Sequence, residues 1–487
     1  MTGSTSAAAL PAGLNLTGNA LTPGAQRSWW LREALAGVAA PECPPLTKEI
    51  NADVAIVGGG FTGLWTAYFL TETNPNLQVV ILEQDICGGG PSGRNGGFAS
   101  GWWDELDTLT ALYGTEQAVR ACRAISGSIT RIGDFCSKHG VDAWFTHAGY
   151  MFAATSAHHE ALCEAMVQSA REAGAPDELR ALSPDEVKAR CASPAFRGGA
   201  LMKDGASVQP ALLARGLRRV VLERGVTIHE NTTVTRIHPG TPAVVVTPRG
   251  SVRAPRAVLA VNAWATGWPQ LRRRLVAWSS YIVLTAPAPE RLAQIGWTGG
   301  ELITDLRTSV RYFRTTRDGR IAFGGGGGRA SNRVDDSFTH DMRAVVEAAE
   351  GFRRIFPSFA DVPLEDGWGG PIDVSPTHMP TFGSLESNGN VFYALGYTGN
   401  GVAPSHLAGI VLADLVTGAD TDATRLPMVN PKPRLFPPEP FRSLGAVLVR
   451  RAIIAKDTAD ERGVRPNPLA AAIARMPRRM GFLLGPE

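Results

Sequence analysis

The sequence predicts an α/β fold in which a Rossmann-like nucleotide-binding domain carries an inserted mixed β-sheet domain. Three observations predict it. A glycine fingerprint sits between an apolar strand and a helix near residue 58. The apolar segments switch from short buried runs to long alternating strands between about 277 and 330. A second strand, glycine loop and helix follow near 391–415. At 487 residues the chain is too long for one core, so two domains are expected.

The fingerprint is the strongest signal. Val54 to Val57 reads as a buried parallel strand, and G-x-G-x-x-G falls on Gly58, Gly60 and Gly63. Leu64, Ala67, Tyr68 and Phe69 follow at helix spacing, and a second strand, Leu77 to Leu82, ends in Glu83. The first glycine makes the tight turn, the second admits a pyrophosphate, and the third lets helix pack on strand. Phe61 and Thr62 lie at the helix N-terminus, whose N–H groups and positive dipole end suit phosphates. Glu83, with Gln84 beside it, is placed to accept hydrogen bonds from ribose hydroxyls and to repel a 2′-phosphate.

Other elements follow in order. Residues 1–45 read as a loose arm with a short helix at Ser28-Trp29-Trp30-Leu31, its tryptophans packed on the body. Residues 117–139 form an amphipathic helix ending at Gly140. Ser183-Pro184-Asp185-Glu186 is a capping box. A helix spans Val208–Arg224, strands follow at Val226–Glu230, Thr232–His238 and Ala243–Thr247, and Ala257–Val261 is a buried strand. Alternating strands cover Trp278–Ala286, Ser309–Thr315 and Arg320–Gly324. Met342–Phe356 is helical, Val391–Leu395 is a strand, and a helix runs from about Pro404 to Leu415. The nucleotide domain is therefore expected in pieces, 46–115, 200–265 and 365–425, with the substrate or cap domain at 116–199 and 266–364.

Bulk properties narrow the class. The chain is 44% hydrophobic and 19% charged, with net charge +3, so no nucleic-acid footprint dominates. Six scattered cysteines and nine histidines show neither a disulfide frame nor metal-ligand spacing. Together with the lack of a signal peptide or apolar span, this predicts a cytoplasmic protein with reduced thiols and no metal. The tail 426–487 is Pro-rich, then basic and helical. From 431 it holds eleven Lys/Arg against five Asp/Glu. It is read as a solvated helix on the body or on a neighbouring copy in a homo-oligomer.

The block Cys87-Gly88-Gly89-Gly90-Pro91-Ser92-Gly93-Arg94-Asn95-Gly96-Gly97-Phe98 has no use in a nicotinamide dehydrogenase. It suits an extended FAD, whose pyrophosphate and ring edges need close backbone N–H groups. Here the chain resembles the D-amino-acid oxidase and sarcosine oxidase superfamily of flavoproteins, whose FAD domain is of the glutathione-reductase type. Ser92–Gly97 followed by Trp102-Trp103-Asp104-Glu105-Leu106 resembles its γ-glutamylputrescine-oxidase-like branch. Further resemblances are Val234 at the adenine position, Asn262-Ala263-Trp264 over the pyrophosphate, and Gly399-Asn400-Gly401-Val402-Ala403 in the C-terminal flavin loop.

The resemblance implies FAD bound non-covalently, because the Gly369–Asp373 region, which includes Gly370, lacks the attachment cysteine. It implies a small amine substrate, such as a polyamine derivative or N-substituted amino acid. Hydride transfer to flavin N5 would oxidise its C–N bond to an imine, with oxygen or another acceptor reoxidising the flavin. Expected pocket residues are Trp102, Trp103, Tyr312, Arg314, Trp368 and Tyr397. Arg314 is either a ligand of a substrate carboxylate or a member of a surface ion pair, and His378 is either a general base or a structural histidine. Sarcosine oxidases carry lysines where this chain has Ala403 and, on a sheet strand, Ala322 or a neighbour. That departure weakens the case for an α-amino acid and for fast oxygen use. An alcohol or hydroxy-acid dehydrogenase and a flavin-retaining scaffold are the alternatives.

Overall fold

The structure is a computed structural model that describes residues 27–36, 41–238, 240–325, 328–385 and 388–479. Most of the expected N-terminal arm lies outside the described residues. The helix expected around Trp29 spans Trp29–Leu35, capped by the Ser28 hydroxyl, which accepts from the Leu31 N–H at 3.1 Å.

Two large sheets organise the chain. The first has six strands in the order Thr227–His229, Val79–Leu82, Val54–Val57, Arg256–Leu259, Asn388–Leu395 and Thr381–Leu385. All neighbours are parallel except the last pair. Val54–Val57 and Val79–Leu82 are fully buried, which is why they read as unbroken apolar runs. The Phe61–Thr73 and Val402–Thr417 helices pack beside this sheet so closely that Gly409 is needed. A Cβ there would stand 2.5 Å from the Trp65 Cβ.

The second sheet has nine strands. The Val276–Thr285 strand pairs with Ile321–Gly325 on one side, and Tyr312–Thr315, Leu302–Asp305 and Tyr150–Ala153 continue the order. The long strand Leu364–Val374 also pairs with Val276–Thr285. The 365–425 piece, grouped by sequence with the nucleotide unit, thus lends its first strand to the larger sheet. A phenylalanine-rich core, including Phe313, Phe323, Phe352 and Phe356, lies between this sheet and the Met342–Ile355 helix.

A buried ion pair fixes the turn that follows Glu83. Glu230 accepts from the Cys87 N–H at 2.8 Å and from Arg218 Nε at 2.9 Å, both side chains being largely buried. Removing Arg218 would leave Glu230 paired only with the more distant Arg215, at 3.4 Å, where a fully uncompensated buried charge typically costs about 3–5 kcal/mol. Arg218→Met is therefore expected to lower unfolding free energy by about 3 kcal/mol, read by chemical denaturation. A change under about 0.5 kcal/mol would show that water already solvates this pair.

Candidate active site

The C-terminal ends of the parallel strands open onto a continuous cavity of about 1420 Å³. That exceeds the roughly 300–1,000 Å³ of a drug-sized pocket, leaving room for a dinucleotide together with a small substrate.

The glycine turn builds one end. Gly58 has φ +107°, and a Cβ there would lie 2.3 Å from the Ala260 carbonyl oxygen. Gly63 lies against the Gly58 carbonyl, where a Cβ would come to 2.0 Å. Gly63 therefore does not line the cavity; its lack of a side chain lets the helix close on the strand. Gly60, Phe61 and Thr62 do line it. Ser92 Oγ accepts from the Phe61 N–H at 2.8 Å, tying the second glycine loop to the helix N-terminus. Glu83 accepts from the N–H groups of Gly59 and Asp85 at 2.7 and 2.9 Å. Burial outweighs these bonds and pushes its carboxyl up to about 7. Gln84, Arg94, Asn95, Gly96, Val234, Trp264, Gly370, Gly399, Asn400, Gly401 and Val402 also line the cavity.

Several expected residues act from behind the wall. Gly97, at φ +75°, lies against the Val208 carbonyl, and Ala263 and Ala403 are fully buried. Asn262 and Asp373 form a second joint. Asp373 accepts from the Gly396 N–H at 2.5 Å, the Tyr397 N–H at 3.2 Å and the Asn262 amide at 3.0 Å. Burial still dominates and raises its carboxyl to about 7. The Tyr397 hydroxyl pairs with Thr62 Oγ1 at 2.7 Å, so the two helix N-termini converge on one place. The side-chain oxygens of Asn262 and Asn400 are buried acceptors without a protein partner among the described residues.

Four expected pocket side chains are corrected. Trp102 and Trp103 sit in the main core, Trp103 Nε1 donating to Ser126 Oγ at 3.3 Å. Their large apolar rings go inward, and the two acids after them face the cavity instead. Trp368 is buried behind the glycine loop, where its Nε1 donates to the Arg94 carbonyl at 2.8 Å. Arg314 does share a strand face with Tyr312, but the Gly96–Gly97 turn separates its guanidinium from the cavity. It lies over the Trp30 ring at 5.1 Å, has no acid partner among the described residues, and burial lowers it to about 9. It is not placed to hold a substrate carboxylate. Tyr312 does line the cavity, packed flat on Gly324 and paired with Ser280 Oγ at 2.9 Å.

The substrate end is acidic. Asp104 and Glu105, on consecutive positions before the Leu106–Tyr113 helix, line the cavity with His378 and Asp305. His378 Nδ1 lies 3.0 Å from Glu105 Oε1, and His378 has φ +65°. Burial lowers the imidazole, but Glu105 and Asp104 outweigh it and the net direction is up. Burial, then the neighbouring Glu105, raises Asp104, whose Oδ1 has no hydrogen-bond partner among the described residues. The signal in the sequence was the adjacent acid pair inside an otherwise apolar segment, which the neighbouring tryptophans overshadowed.

A glycine cradle at a helix N-terminus, an acid at the second strand's end and a cavity running on beneath a mixed sheet define a dinucleotide-binding oxidoreductase. Residues 53–415 match the DAO family, FAD dependent oxidoreductase, and the chain belongs to it. It is 30% identical over 378 residues to gamma-glutamylputrescine oxidoreductase of Escherichia coli K12, covering 77% of this chain and 85% of that protein. It is also 30% identical over 398 residues to a probable oxidoreductase OrdL of Rhizobium meliloti, covering 78% and 87%. Glycine oxidase from Geobacillus kaustophilus shares the fold at TM-score 0.64 and 22% identity, over 76% of this chain and 96% of that one. The cofactor is FAD. The cradle, Glu83 and the unpartnered asparagine oxygens fit it.

Two outcomes follow. Gly60→Val would put a side chain into Ser92 and the cofactor's path, so the purified variant should be colourless; a fully yellow variant would place the pyrophosphate elsewhere. If Glu83 takes the ribose hydroxyls it must be ionised to accept their hydrogen bonds, and FAD binding would then release a proton. Affinity should weaken as pH falls through about 7, by up to about tenfold per pH unit. Fluorescence titration should show that slope, and Glu83→Gln should flatten it.

Proposed function

We propose that the chain oxidises the C–N bond of a small amine to an imine, which water hydrolyses to an aldehyde or ketone. The observation that carries this reading is the pair Asp104 and Glu105 on the cavity wall, with His378 beside them. A buried carboxylate with an unpartnered oxygen favours a cationic guest, and an ammonium both neutralises it and donates the missing hydrogen bond. An acid-lined end is a poor place for a carboxylate substrate, and Arg314 does not face it. The names of the relatives, a γ-glutamylputrescine oxidoreductase and a glycine oxidase among them, support oxidation of a C–N bond, although both named substrates carry a carboxylate.

Bound FAD supplies the two-electron acceptor. The protein's own work is to bind, orient and deprotonate. Asp104 and Glu105 hold the ammonium, and the Glu105–His378 pair takes its proton, freeing the nitrogen lone pair. As the α-carbon loses its hydride, that lone pair closes the C=N bond. Tyr312 and Tyr397 narrow the cavity around the reacting carbon and exclude water. Oxygen or another acceptor then completes the cycle.

An anaerobic panel of amines, amino acids and 2-hydroxy acids tests the reading through loss of the oxidised-flavin absorbance. Bleaching by amines is expected. Bleaching by hydroxy acids alone would transfer the chemistry to a C–O bond. Glu105→Gln should raise KM for amines about tenfold to a hundredfold, the worth of one charged hydrogen bond. An unchanged KM would remove Glu105 from the binding site.

A further inference from the structure

The Phe441–Glu461 helix lies beyond the part of the chain that matches the family, yet it forms a wall of the same cavity. The cavity-lining positions on it are 441 and 442, 445 and 446, 449 and 450, then 453, 454 and 456. Recurrence every four residues places them on one helix face. Both ends are anchored. The Arg442 guanidinium donates to the carbonyls of Arg272 and Leu275. Asp457 accepts from the N–H groups of Thr308 and Ser309, at 3.3 and 2.9 Å. Glu461 pairs with Arg307 at 2.6 Å and Arg311 at 2.5 Å. Asp457 and the guanidiniums of Arg307 and Arg311 are more than nine-tenths buried. The helix is thus fixed across the cavity, not laid loosely on the surface.

Val449, Ile453 and Ile454 line the same cavity as Ala111 on the Leu106–Tyr113 helix and Leu162 and Met166 on the Ala157–Glu172 helix, with Asp107, Thr108 and Lys456 as polar members of the lining. The same Leu106–Tyr113 helix begins at the acid pair, so one element links the two ends. Six residues separate Glu105 from Ala111, a rise of about 9 Å. The cavity therefore holds carboxylates at the start of that helix and a mainly aliphatic chamber further along it.

We propose that this chamber is a binding subsite for an apolar substituent, that the substrate is an amine bearing an extended alkyl or arylalkyl group, and that the Phe441–Glu461 helix is its specificity-determining wall. The proposal rests on the amine reading above: the ammonium sits at Asp104 and Glu105 and the apolar group reaches toward Ile453. Each methylene buried in the chamber should raise kcat/KM about three- to fourfold until the chamber is full.

The test uses the full-length holoenzyme and primary n-alkylamines from propylamine to octylamine, with anaerobic flavin reduction as the readout. In the wild type kcat/KM should climb with chain length, mainly through KM. In Ile453→Trp, which fills the chamber, the octylamine-to-propylamine ratio should fall at least tenfold, whichever way the propylamine value moves. Ile454→Ala, which enlarges it, should shift the optimum toward longer chains. A flat dependence on chain length in the wild type, or a ratio unmoved by both variants, would overturn the proposal while leaving the amine reading intact. Failure of every amine to bleach the flavin would overturn the amine reading and the subsite with it.

Discussion

The site depends on one buried carboxylate. Asp373 belongs to the Leu364–Val374 strand of the nine-stranded sheet, but its acceptors are filled from the six-stranded sheet. Gly396 and Tyr397 end the Asn388–Leu395 strand, and Asn262 follows the Arg256–Leu259 strand. A carboxylate in the interior is costly unless its oxygens are fully bonded, so these donors are obligatory for either side to keep its position. The joint thereby fixes the distance between the sheet that cradles the cofactor and the sheet that covers it. The raised pKa shows that burial is only partly offset by the three donors.

From that joint the polarity of the cavity follows. Both helices that end there, Phe61–Thr73 and Val402–Thr417, present N-termini, which favours anionic groups at the glycine-lined end. Asp104 and Glu105 line the other end, and on the amine reading they favour a cation there. On that reading the cofactor's phosphates and the ammonium bind at opposite ends by charge. Tyr312, flat on Gly324 and against Gly96, sits between the two regions. The glycines there are dictated by the tyrosine's ring, since a Cβ on Gly324 would overlap it at 2.0 Å.

The sequence made the cofactor end legible because its chemistry is backbone chemistry. Close approach demands glycine, a helix start demands a break in apolar rhythm, and the ribose acid stands at a fixed spacing. Strand alternation also correctly paired Tyr312 with Arg314. The substrate end was much less readable. Whether Trp102 or Asp104 faces the cavity depends on a single turn of 3₁₀ helix, Trp103–Glu105, whose direction no local pattern states. Arg314 was hidden by a loop more than 200 residues away in sequence, the turn at Gly96–Gly97. The Leu364–Val374 strand was assigned by position in the chain, yet its hydrogen bonds join it to the other sheet.

The C-terminal tail shows the same gap between composition and placement. Counted as charge, residues 431–487 look like a basic solvated segment, and many of its arginines are indeed exposed. What decides its position is the acids: Asp457 and Glu461, four residues apart on one helix face, reach Arg307, Arg311 and the Thr308–Ser309 backbone. Arg311 immediately precedes the strand that presents Tyr312, so the clamp that seats the helix adjoins the strand that narrows the cavity. A shared fold fixes the cofactor, while the bond oxidised and the selectivity lie in what surrounds the remaining opening. Here that surround includes a helix outside the family match, so resemblance over 53–415 constrains the cofactor more tightly than the substrate's far end.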